Sequence, residues 1–234
     1  MVKVNFEENF EIYLFTDNEH ENNFSKLNEF ISFLKFNRVA LPYRFAYVCR
    51  SDGLMPELTL NENILMDFSP DSLTTAREFQ FQEFLNEQPN KDLEKLYQKL
   101  SFPHELPDHS NAQMKKIASL IKALISESNF IFLEEPEKDL DPECTQLFIS
   151  ALKDHIARHK LNVFIFSNQT KLWMNHSHQH VTREENFSFT TNEIPKNLAW
   201  IKERENFYKP ITTPLENELL FHFPKKLTVK KSVA

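Results

Sequence analysis

The amino-acid sequence predicts an α/β fold built on a buried parallel sheet, and three observations carry that prediction. The runs FIFL, Phe130–Leu133, and VFIF, Val163–Phe166, are strand-length and wholly apolar, as strands covered on both faces are. Segments of helical period stand before, between and around them. With 234 residues, 41% hydrophobic and 26% charged, the chain is long enough for one large domain or two intimate lobes.

The elements follow in order. FEIYLF, Phe10–Phe15, reads as a strand; a polar loop follows, and then Phe24, Leu27, Phe30, Ile31 and Leu34 recur at helical spacing. FAYV, Phe45–Val48, is a second short strand that leads through a turn at Gly53 into LMPELTLNENILMDF. From Ser72 to Leu100 the pattern is helical, anchored by Leu85, Leu93, Leu96 and Leu100 and broken at Pro89. Beyond the turn residues of Pro103–Ser110, a helix sets Met114, Ile117, Leu120, Ile121 and Leu124 on one face, and FIFL follows it. A helix from about Glu143 to His159 turns Leu147, Leu152 and Ile156 inward and hands over to VFIF. Past about Glu185 the periodicity weakens, leaving FSFT and LLFHF as late strand candidates.

Composition narrows the function classes. Twenty-three phenylalanines against one glycine, Gly53, favour a packed core and disfavour tight phosphate-cradling loops, which need positive φ and close backbone approach. A net charge of −7 argues against a surface made for nucleic acid as a whole. Cys49 and Cys144 stand in neither a metal nor a redox spacing, which points to a reducing compartment and free thiols. The acidic N-terminal stretch MVKVNFEENF lacks the pattern of a signal peptide, and no window approaches the roughly 18 apolar residues of a membrane span. The expectation is a cytoplasmic protein that meets a membrane only through a partner or a surface patch. Lys225, Lys226, Lys230 and Lys231 form either a solvated end or a docking tail for an anionic surface.

Histidines are the candidate metal ligands. His176, His178 and His180 in NHSHQH would suffice for zinc if they shared a strand face, but their position after VFIF favours an exposed polar loop. His155 and His159 share a helix face without an HExxH acid, so a solvated helix edge is expected there. The reading therefore expects no metal and no cofactor.

The stretch with most chemistry is FIFLEEPEKDLDP, Phe130–Pro142. An apolar strand delivers Glu134 and Glu135, and a proline turn leads to Leu140, Asp141 and Pro142. This order resembles the Walker B segment and D-loop of ABC transporter nucleotide-binding subunits. The resemblance runs from about residue 45 to 170 with its motifs in order. AYVCRSDGLMPELTLNENILM matches the Q-loop region, with Arg50 where the family places glutamine. DHSNAQMKKIASLIKAL matches the signature loop and helix, with Ser110 to Met114 in place of an LSGGQ-like run. VFIFSNQ matches the strand into the H-loop, with Asn168 where histidine is expected. RSDGLM and the segment after it are similar to lipid-trafficking, Mla-type ABC subunits. The resemblance implies an ABC-type P-loop NTPase-like fold: a RecA-like lobe with a parallel sheet core plus an inserted helical lobe. It would span residues 1–185, the helical lobe about 55–120, with 186–234 as a C-terminal extension.

The resemblance also implies a lost activity. Glu134 stands where the family holds magnesium and Glu135 where it polarises the attacking water, yet the loop after the first strand reads TDNEHENNFSK, Thr16–Lys26. It has no glycine to curl backbone N–H groups onto phosphates, and Asp17, Glu19 and Glu21 place negative charge where phosphate would lie. Losing three charge-assisted hydrogen bonds at roughly 1.5–3 kcal/mol each removes at least about 4.5 kcal/mol, which turns micromolar affinity into millimolar. The expected protein is a pseudo-ATPase scaffold in which Glu134, Glu135, Asp141 and Asn168 are remnants. It would bind as a homodimer or a heterodimer with an ABC-type ATPase, with a membrane permease, or with both. Arg50, Leu54, Met55 and Phe68 are the candidate partner contacts, and Met55, Leu58 and Phe68 are equally candidates for the core. The rival reading is a divergent ATPase that uses Glu135 with a phosphate cradle completed by a partner.

Overall fold

The computed structural model describes residues 11–15, 28–32, 45–50, 53–66, 81–126, 128–159, 161–183 and 189–194. Six strands form one sheet: β1 (Ile12–Phe15), β2 (Phe45–Val48), β3 (Phe130–Glu134), β4 (Asn162–Phe166), β5 (Gln179–Arg183) and β6 (Phe189–Glu193). Their order is β2-β3-β4-β1-β5-β6. All neighbours are parallel except β5 and β6, which are antiparallel. The strand that opens the chain and the strand that carries the acidic pair are thus separated by β4. The sheet also runs past residue 185, since β6 lies in the segment expected as an extension and overlaps the candidate strand FSFT.

Alternation of two kinds of apolar residue explains how the sheet is covered. In IYLF, FIFL and VFIF, aliphatic and aromatic side chains take turns, so each kind lines one face. Tyr13, Phe15, Phe130, Phe132, Phe164 and Phe166 make an aromatic layer, closed by Phe30 of α1 (residues 28–32), Val181 and Phe189. The register sets Tyr13 and Phe132 beside Phe164, stacked with ring centroids 4.9 and 5.1 Å away, and Phe15 on Phe166 at 3.8 Å. Such pairs add about 0.5–1.5 kcal/mol each beyond the area they bury. Among the described residues, seven of the 23 phenylalanines therefore lie in this one layer of the fold.

The aliphatic face, Ile12, Leu14, Ile131, Leu133, Val163 and Ile165, shares one core with the helices. These are α2 (Leu60–Leu65), α3 (Phe81–Glu87), α4 (Lys91–Gln98), α5 (Ala112–Ile125), α6 (Pro142–His159) and α7 (Thr170–Met174). The buried helix α5 packs on β2, α2, α4 and α6. The break at Pro89 is where α3 ends and α4 begins: Asn90 accepts the Leu93 N–H (2.9 Å) as a cap, while its amide donates to the Ala151 carbonyl of α6 (3.3 Å). No described helix is long and apolar enough to cross a membrane.

The segment after Gly53 contains α2, started by a capping box in which Thr59 Oγ1 accepts from Glu62 N (3.2 Å) and Glu62 accepts from Thr59 N (2.8 Å). Two expectations need correction. His155 is buried rather than on a solvated edge, its ring 4.2 Å from that of His159. Of the histidines after β4, His176 and His178 do lie in a connection, between α7 and β5, while His180 is in β5 itself, and all three are half-buried rather than exposed. Phe68, residues 16–26 and the tail lysines lie outside the described residues.

Candidate functional site

The ends of β2, β3 and β4 converge on one group of side chains, and parallel register brings them there. Val48 pairs with Leu133 and Glu134 with Phe166, so residues 49–50, 134–137 and 167–169 emerge at the same end of adjacent strands. Glu134 and Glu135 are both buried. Glu135 holds φ 41°, a left-handed conformation that favours glycine, and its N–H donates to the Phe166 carbonyl (2.7 Å). That kink turns the chain off the strand and into the proline turn, which Lys138 N–H closes on the Glu135 carbonyl (2.9 Å).

Both carboxylates meet Arg50. Its backbone N–H donates to Glu134 Oε2 (3.1 Å), and its Nε pairs with Glu135 Oε2 (2.9 Å). The Asn168 amide donates to Glu135 Oε1 (2.6 Å), so both Glu135 oxygens are occupied from within the chain. Glu134 differs: its Oε1 is buried without a hydrogen bond. Tyr47, whose side chain leaves β2 on the same face as Glu134, has its phenol pushed well above the ordinary tyrosine range by burial and then by the Glu134 carboxylate. The Arg50 side chain is 63% exposed, so the ion pair lies at the protein surface on the arginine side.

A third acid, Glu137, belongs to the scaffold. Its Oε1 accepts from the Ser167 hydroxyl and its Oε2 from Trp173 Nε1 (2.7 Å), while Ser167 Oγ accepts from Gln169 N (2.9 Å). Trp173 is fully buried, and this network ties the turn after β3 to the segment after β4. Asp141 also has local work. It caps α6, accepting the Cys144 N–H on Oδ1 (2.7 Å) with Pro142 in the first helical position, and it takes the Gln113 amide on Oδ2 (2.9 Å). The Cys144 backbone bond, followed by that of Gln113, holds the Asp141 carboxyl below the usual aspartate range.

The segment matched to the signature loop is a helix start. Asn111 caps α5 by accepting from Met114 N (2.9 Å), Ser110 Oγ donates to the Leu106 carbonyl (3.1 Å), and Gln113 is committed to Asp141. Of the partner candidates, Met55 is 47% exposed and Leu54 is half-buried against the core, while the core candidate Leu58 is buried. The histidines go to separate partners. His178 Nδ1 accepts from Ile12 N (3.0 Å), His176 Nδ1 lies 3.0 Å from Lys153 Nζ, and His180 Nε2 lies 3.1 Å from Thr182 Oγ1. Cys49 and Cys144 are free thiols. Sequence reasoning singled out Glu135, Asn168 and Arg50 but missed that they touch, and it missed Glu137 altogether. The signal for Glu137 was a third acid in EEPE followed by an isolated tryptophan.

No family model matches the sequence, and no curated protein matches it. Solved structures do resemble it in fold. An ATP-binding subunit of an ABC transporter superposes with a TM-score of 0.60 at 15% identity, over 85% of this chain and 82% of that one. The dimeric structure of a bacterial ABC transporter cassette superposes with a TM-score of 0.52 at 13% identity, over 74% and 81%. The chain therefore has an ABC-type, P-loop NTPase-like α/β fold.

Proposed function

We propose that this chain is an ABC ATPase-like subunit that does not hydrolyse ATP and acts by binding other proteins. One observation carries the reading. Glu135, at the position of the water-polarising base, has one oxygen paired with a guanidinium and the other with the Asn168 amide. A general base must turn an oxygen toward its water, and here both Glu135 oxygens are turned to partners within the chain. The loop TDNEHENNFSK supports the same reading by its lack of glycine and its acids.

The work left to such a subunit is that of a scaffold. Its partners are a second copy or an active ABC-type ATPase, a membrane permease at the cytoplasmic face, or both, with Arg50, Leu54, Met55 and Phe68 on the docking side. Residues 1–185, with a helical lobe at about 55–120, form the ATPase-like domain in this reading, and β6 joins the 186–234 segment to its sheet. No cofactor or metal takes part. Calorimetric titration with Mg-ATP, paired with phosphate release, tests it. The expected outcome is no binding in the micromolar range and no turnover. Micromolar binding that Glu135→Ala abolishes would instead establish the divergent ATPase.

A further inference from the structure

A single residue, Arg50, meets two buried carboxylates. Its backbone N–H reaches Glu134 and its guanidinium reaches Glu135, while Asn168 takes the remaining Glu135 oxygen. Consecutive carboxylates removed from water disfavour each other's charge and call for a nearby cation. Metals commonly meet that demand at strand ends, since two carboxylates on adjacent residues are hard oxygen donors suited to a divalent ion. Glu134 Oε1 shows that the demand is met only in part: on a residue 3% exposed, it accepts no hydrogen bond. Lys116, buried on α5, sends its ammonium to the carbonyl of Cys49 (3.4 Å), one residue before Arg50.

We propose that Arg50 is a built-in cation that keeps the Glu134–Glu135 pair closed to divalent metal, so that removing its guanidinium uncovers a latent divalent-cation site. The inference rests on the reading that this subunit does not hydrolyse ATP, and it names the residue that shuts the site. Three features of the geometry support it. Arginine stays protonated at any pH the protein meets, so the closure is permanent rather than titratable. The Arg50 side chain as a whole is largely exposed, so shortening it leaves the packed core in place. Its loss leaves Glu135 Oε2 and Glu134 Oε1, on consecutive residues, both without partners.

The test is Mn²⁺ binding to the full chain, read by electron paramagnetic resonance, for the wild type, Arg50→Gln, Arg50→Lys and the double variant Arg50→Gln, Glu134→Gln. Arg50→Gln is expected to bind Mn²⁺ at least about tenfold more tightly than the wild type. Arg50→Lys keeps a cation in place and should stay near wild type, and Glu134→Gln should erase the gain. Arg50→Ser opens the same oxygens and is read in the same way if the glutamine variant does not fold. An Arg50→Gln protein with no gain, or a wild type that binds Mn²⁺ equally well, overturns the proposal. Titrating the same wild-type sample with Mg-ATP separates the two ideas. Micromolar ATP binding sinks the non-hydrolysing reading, whereas failed Mn²⁺ gain without ATP binding sinks only the latch.

Discussion

Among the described residues, two carboxylate residues sit in the left-handed region of backbone space, Glu135 at φ 41° and Asp139 at φ 65°. Both belong to the turn after β3, and their circumstances differ. Glu135 is fixed by a backbone bond to β4 and by two side-chain partners, while Asp139 is exposed. Left-handed geometry costs a non-glycine residue roughly 1–2 kcal/mol, less for aspartate, and glycine loses part of that gain through a freer unfolded chain. Asp139→Gly should therefore stabilise the protein by about 0.5 kcal/mol, read as a shifted urea midpoint at unchanged slope. A destabilised variant would mean that the Asp139 side chain holds the turn. At this scale the sequence was partly legible. EE after an apolar strand and LDP after a turn marked where β3 ends and where α6 begins, because local order decides such features. The pairing of Arg50 with Glu135 was not legible, since it joins residues 85 positions apart through strand register.

The clearest case at the level of elements is α2. The preceding segment is held by one buried side chain: Asn63 accepts the Met55 N–H (2.7 Å), and its amide nitrogen shares two protons among the carbonyls of Met55 (3.0 Å), Leu58 (2.9 Å) and Thr59 (3.0 Å). Asn63→Ala takes this partner from the part-buried Met55 N–H and Met55 carbonyl and from the buried Leu58 carbonyl, while the Thr59 carbonyl keeps the backbone N–H of residue 63; a buried group left unpaired costs roughly 1–3 kcal/mol. A total loss of about 3 kcal/mol is expected, with hydrogen exchange accelerated first around Met55 to Thr59. Uniform acceleration across the chain would show that Asn63 supports the core at large and not this segment. The apolar strands were readable because four adjacent apolar residues have few other fates. The short helices α2 and α7 and the strand β5 were not, for LNENIL, TKLWM and QHVTR carry too few apolar residues to display a period.

Across the whole molecule, stability should carry the signature of His155. Burial, and then the charges of His159 and Arg158, lower its pKa to about 3, so it is neutral in the folded protein. The unfolded chain binds the proton at the ordinary histidine pKa of about 6.5. Its contribution is thus fully present above that value and is lost as pH falls below it toward about 3. Between pH 7 and 5 the loss should reach roughly 2 kcal/mol for this one group. Denaturant unfolding of the wild type and His155→Leu over that range checks it: the variant should lose the greater part of the slope, and parallel curves would assign the pH dependence elsewhere. The α/β class was legible at this scale because buried runs alternate with helical periods. The order of the strands was not, since it depends on crossovers that no local pattern records.

Gly53 has one further consequence. Its φ is not in the left-handed region, and a methyl group built there would meet Cys49 Sγ at 3.6 Å, an ordinary contact. Among the described residues no glycine takes a positive φ, so none of the reversals there rests on glycine's conformational freedom. Replacing that lone glycine by alanine would leave a polypeptide with no achiral residue at all, and the described path gives no steric reason for it to change course.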